Sequence, residues 1–139
     1  MEKTIQIDGK PYKFRTSAAI PLLYRMKFNR DVFSDMQHIG KQVKIQEKIK
    51  RETAADCEKR GVPFDESQYD GELPVETLEM FEKIAFLMNR HADPSQPDNI
   101  IEWLDQFETF SIYEVFPEIV ALWNRGNTQL SKPKKGNGK

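Results

Sequence analysis

The chain is 139 residues long, the size of one ordinary domain, and can bury a core without disulfides or a structural metal. Apolar residues make up 38% and charged residues 31%, a polar balance that points to a thin core or a long solvated stretch. Cys57 is the only cysteine, which excludes an intrachain disulfide, and no apolar run approaches the roughly 18 to 20 residues of a membrane span or the apolar segment of a secretory signal. A cytoplasmic protein with no membrane partner is expected.

The net charge of −1 hides a segregation: residues 1–60 carry 14 Lys and Arg against 8 Asp and Glu, and residues 61–123 carry 2 against 14. Residues 124–139 add 5 basic residues and no acidic one. Such asymmetry favours complementary contacts within the fold or between copies, and a homo-oligomer is one expected outcome beside plain solvated helix faces.

Thr4 to Arg15 contains two short β-type runs flanking Asp8-Gly9, a pair that tolerates the positive φ of a type I′ turn, and so predicts a β-hairpin. A two-residue loop sets Ile7 opposite Lys10, Ile5 opposite Tyr12 and Lys3 opposite Phe14, gathering Ile5, Ile7, Tyr12 and Phe14 on one face. Pro11 then falls opposite Gln6, where its missing N–H costs little on an edge strand.

Residues 18–40 read as two linked helices. Pro21 suits a first turn, and Leu22, Leu23 and Met26 lead to Phe28 and a stop at Asn29. Asp31 is a plausible N-cap for a stripe of Val32, Phe33, Met36 and Ile39, with Gly40 expected to close that helix. Lys41 to Arg60 is rich in helix formers, yet Val43, Ile45 and Ile49 are its only sizeable apolar groups, so this helix is expected to be solvated or to need a partner. Gly61-Val62-Pro63 breaks it, and Phe64 to Pro74 reads as a loop.

Leu78, Phe81, Ile84, Ala85 and Met88 recur at helical spacing between Val75 and His91, and Met80, Phe86 and Leu87 widen that surface, which predicts a central helix. Asp93 to Asp98 is a turn, Ile100 to Phe107 a short helix, and Ser111 to Glu114 has capping-box spacing before a last helix running to Gly126. Pro117 predicts a kink or break near Phe116. Residues 127–139 hold one large apolar residue, Leu130, and read as a disordered basic tail. The fold class is therefore mostly α with a small N-terminal β-hairpin (α+β). Residues 1–126 make one domain with a helical body, within which 41–72 is a polar helix and loop insertion.

The residues offer no catalytic constellation. His38 and His91 form no metal-ligand pair with each other or with Cys57, and no phosphate loop, nucleophile elbow or dinucleotide fingerprint is present. The Asp93 to Asp98 turn has two prolines and lacks the glycine and terminal glutamate of a calcium loop. Lys41, Lys44, Lys48, Lys50 and Arg51 are interleaved with acids and accompanied by no aromatic platform, which argues against nucleic acid. No cofactor, no metal and no enzymatic activity are expected. Nine Phe, five Met, four Tyr and two Trp remain, most of them for a core, with Met26, Met36, Met80 and Met88 suited to holding varied apolar partners.

Three segments together resemble the tail assembly chaperones of long-tailed bacteriophages and prophages of Gram-positive bacteria. The first is the hairpin with Thr16-Ser17-Ala18, then Tyr24 to Asp31 and Asp35-Met36; the second is Leu73 to Ala85. The third runs from Ala92-Asp93-Pro94-Ser95 through Glu102 to Phe107 and on to Phe110–Ile119 and Leu122-Trp123. The similarity spans most of the chain outside 41–72 and the tail, and it names no chemistry. It implies a non-structural protein of the host cytoplasm that shields the tape measure protein, recruits tail tube protein and is absent from the finished virion. In that family a longer form commonly arises by frameshifting. Tyr24, Arg25, Met26, Phe28, Trp103 and Phe107 are the residues expected to bind protein partners. The rival readings are a small phage structural or connector protein retained in the virion and a helical nucleic-acid-binding regulator.

Overall fold

A computed structural model describes residues 1–65 and 73–131, with side chains described as far as Gly126 in the last helix. Strands β1 (Glu2–Ile7) and β2 (Lys10–Arg15) form an antiparallel hairpin, followed by helices α1 (Ile20–Phe28), α2 (Val32–Arg60), α3 (Val75–Ala92), α4 (Ile100–Asp105) and α5 (Ile112–Ser131). The molecule is mostly helical with one N-terminal hairpin, the α+β class expected.

Asp8 and Gly9 have φ of 56° and 77°, both left-handed, as a type I′ turn requires. The register pairs Ile7 with Lys10, Ile5 with Tyr12, Lys3 with Phe14 and Gln6 with Pro11, as the loop length dictated. Ile5, Ile7 and Phe14 are buried and Tyr12 is half-buried. Strand β2 lies on α3 and β1 on α5. The turn is also clasped from outside, because the Asp8 carboxylate accepts from the Glu108 and Thr109 amides at 2.7 and 3.4 Å.

Helix α1 begins with proline in its first turn and ends at Asn29, whose φ of 58° turns the chain left-handed. Asp31 caps α2, accepting from the amides of Phe33 and Ser34. The helix end expected at Gly40 is absent, and α2 runs straight through it for 29 residues. A glycine terminates a helix by taking positive φ; Gly61 does so at 70° after Lys59 and Arg60, whereas Gly40 sits among strong helix formers. Val43 is the last buried residue of α2, and from Lys44 to Arg60 every side chain is exposed or half-buried.

Helix α3 is the centre of the fold and packs on β2, α1, α2, α4 and α5. Phe81, Ile84, Phe86 and Met88 are buried, and Phe86, Trp103, Phe107, Phe110, Phe81 and Phe116 form a chain of ring contacts with centroids 5.0 to 6.1 Å apart. Buried Asn89 ties three elements together: its Nδ2 donates to the Lys13 carbonyl at 2.7 Å, and its Oδ1 accepts from Trp103 Nε1 at 2.6 Å. Such pairing is what lets polar atoms sit in a core without a desolvation penalty of roughly 1 to 3 kcal/mol.

Asn99 caps α4 through the Ile101 and Glu102 amides. Helix α5 runs on through Pro117 and past Gly126 to Ser131, so of the kink or break expected near Phe116 the break is excluded, and the expected helix end at Gly126 is corrected. Gly126 serves packing instead: a Cβ there would lie 2.5 Å from Thr16 Cγ2, so its absence lets α5 approach the end of the hairpin. The expected disorder at 127–139 meets backbone helix at 127–131, and the rest of that tail, like most of the expected loop at 64–74, lies outside the described residues.

Candidate protein-interaction surfaces

Of the six residues expected to bind partners, four belong to the packed body. Tyr24 is fully buried, and its hydroxyl donates to Asp35 Oδ2 at 2.7 Å. Asp35 is buried too and also accepts a forked pair from Arg30, Nε at 2.6 Å and Nη2 at 3.0 Å. Burial alone would push the Asp35 carboxyl up, but the hydrogen bonds from Arg30 and Tyr24 outweigh it and hold the group below its ordinary value. The Tyr24 hydroxyl is pushed well above its ordinary value, by burial first and then by the Asp35 carboxylate. Tyr24 therefore locks α1 to α2 and cannot present its ring to a partner.

Trp103 is fully buried and Phe107 nearly so, edge to face at 5.0 Å, while Phe28 is half-buried between Tyr24 and Phe86. Their large apolar area is spent on the core, so the expectation is corrected for Trp103, Phe107 and Tyr24. Arg25 and Met26 do face solvent; Met26 is 74% exposed and lies one turn from Leu22, also exposed.

The histidines hold elements together. His38 Nε2 lies 3.0 Å from Thr77 Oγ1, joining α2 to α3, and His91 Nε2 lies 3.0 Å from Ser17 Oγ. Burial, then Arg15 and the N-terminal amine, hold the His91 pKa below its ordinary value. Cys57 is half-buried on distal α2. Among the described residues no group of three His, Cys, Asp or Glu is arranged to hold a metal, and no helix is long and apolar enough to cross a membrane.

Among the described residues, two further surfaces lie outside the core. The first is the distal half of α2, residues 44–60, a rod of about 25 Å that carries exposed Ile45 and Ile49 one turn apart. The second is a groove of about 500 Å³ between the proximal half of α2 and the middle of α5. Its walls are Phe33 and Met36 on one side and Phe116, Val120 and Trp123 on the other, with Lys41 and Lys44 at its rim and no carboxylate among its lining residues. The Phe33 and Trp123 rings meet at 5.3 Å, and Phe33 is still 47% exposed.

Gly40 also lines the groove, and a Cβ built on it would meet nothing within 4 Å. From Lys41 the helix continues one basic stripe through Lys44, Lys48 and Arg51, residues at i, i+3, i+7 and i+10. None of these four is ion-paired among the described residues.

Phe33, expected in the core stripe, lines the groove instead. Phe33 does not share the spacing of Val32, Met36, Ile39 and Val43, and Gly40 is an interior helix glycine; both are marks of a surface. Set against protein-family models, curated proteins and solved structures, the chain matches none.

Proposed function

We propose that this protein is a tail assembly chaperone of a long-tailed bacteriophage or prophage, which binds the tape measure protein in the host cytoplasm, helps recruit tail tube protein and performs no catalysis. The reading starts from the sequence resemblance. The physical observation that supports it is the division of labour within α2: a proximal half fixed by Asp35, Ile39 and Val43, and a distal half of seventeen residues without one buried side chain. An isolated helix of this length is only marginally stable in water, so a chain that carries it as an extension of an anchored helix holds ready a pre-formed docking rod. Ile45 and Ile49 supply the apolar contact on it, and the surrounding charges keep it soluble.

The test is coexpression with a tape measure protein from the same genome. The expected result is a soluble complex that copurifies and is lost in the double variant Ile45→Asp, Ile49→Asp, with the circular dichroism of the free chain unchanged. Recovery of this chain from purified virions without such a complex would favour a structural or connector protein and overturn the proposal.

A further inference from the structure

We propose that the pocket between α1 and the C-terminal half of α3 binds the free C-terminus of a partner protein that ends in an apolar residue. The inference goes beyond the client-binding reading on α2 and does not depend on it.

The pocket holds about 210 Å³, below the roughly 300 to 1,000 Å³ of sites for drug-sized ligands, so it takes one side chain. Its apolar wall is Leu23, Phe86 and Leu87. Two cations line it as well: Lys27 from α1, with Nζ 5.6 Å from the Phe86 ring centre, and Arg90 from α3. Arg90 is fixed in advance, because its Nη1 donates to the Pro94 and Gln96 carbonyls at 2.9 and 2.6 Å. A guanidinium already held in place lowers the ordering cost of binding.

Asp98 marks where an anion sits. It is the one carboxylate among the described residues that line the pocket, and its Oδ1 faces Arg90 Nη2 at 3.3 Å and Lys27 Nζ at 3.7 Å. Both contacts are long beside the 2.6 Å between Arg30 and Asp35, and Asp98 is exposed. Such a bridge holds little and gives way to a second carboxylate. Two cations share this one internal anion, so the site keeps a positive charge.

Charge complementarity and size together identify the occupant. The site calls for an apolar side chain and a carboxylate within the span of one residue. An internal aspartate or glutamate brings the charge without the apolar group, and an internal leucine or phenylalanine brings the apolar group without the charge. A free amino acid carries both but adds an ammonium group beside Lys27 and Arg90. A C-terminal residue carries both with a neutral amide in that place, and capture of a terminal carboxylate is a recurring mode of peptide recognition.

The experiment is an NMR titration of the full isotope-labelled chain with synthetic Gly-Ser hexapeptides that end in leucine. With a free terminal carboxylate, the peptide should give saturable shifts at the amides of Leu23, Lys27, Leu87 and Arg90. Amidation of that carboxylate, or glycine in place of the last leucine, should weaken binding more than about tenfold. Lys27→Glu should weaken it by a similar factor. Asp98→Asn should tighten it by about two- to fivefold, because the internal competitor is gone, and no loss of folding produces a gain in affinity. Four results would each overturn the proposal: equal affinity for the free and the amidated peptide, equal affinity for an end-capped peptide with an internal Leu-Asp pair, unchanged or weaker binding in Asp98→Asn, or no shift with any peptide at millimolar concentration. Loss of tape measure binding through Ile45 and Ile49 leaves this measurement untouched, because it uses the free chain and synthetic peptides.

Discussion

Helix α3 and the distal half of α2 are of nearly equal length and both built from good helix formers, yet they are held by different physics. Every turn of α3 past the first sets large groups against β2, α1, α2, α4 or α5, among them Phe81, Ile84, Phe86 and Met88. Residues 44–60 bury none. Helix propensity is common to both; burial of an apolar stripe is what separates an anchored helix from an exposed one.

The largest expected break of this contrast is Trp103→Ala, which opens a cavity against α3 and orphans Asn89 Oδ1, and should cost about 3 to 5 kcal/mol in chemical denaturation. Ile49→Ala on distal α2 should change stability by no more than about 0.5 kcal/mol. Equal losses at the two positions would dissolve the distinction.

The two interior helix glycines sharpen it. Gly126→Ala drives a methyl toward Thr16 Cγ2 and should destabilise by about 1 to 3 kcal/mol, while Gly40→Ala enters open space and should stabilise by about 0.5 to 1 kcal/mol. Thermal melts of the pair, measured at high salt, decide the sign of each.

A smaller, pH-dependent effect belongs to the joint between α1 and proximal α2. The Asp35 carboxyl has a folded pKa below its unfolded value, so its contribution is present above about pH 3.9 and is lost as pH falls through the folded value. Asp35→Asn should flatten the acid limb of stability measured down to about pH 3. His91 acts in a separate window: its folded pKa is also depressed, so the unfolded chain takes the proton first and stability declines below about pH 6.5, a slope that His91→Gln removes.

Much of the fold was legible in local chemistry. Asp8-Gly9 set the hairpin register, Asp31 marked the start of α2, and the stripe from Leu78 to Met88 marked the central helix. What was not legible depends on distant partners. Nothing near Tyr24 or Trp103 announces Asp35 or Asn89, so their aromatic rings read as free contact groups when they are core. Gly40 and Gly126 read as terminators because a glycine's role follows from its φ and its neighbours in space. The groove arises only when α2 and α5 come together, and its walls, Phe33 and Trp123, are remote in sequence.

Amide hydrogen exchange on the free chain at high salt tests the central contrast most directly. Residues 78–88 should be protected to near the global unfolding free energy, and residues 45–60 should exchange through local fraying at much faster rates. Protection at 45–60 equal to or greater than that at 78–88 would contradict the account, because it would mean that the helix taken here as a solvent-facing rod is part of the core.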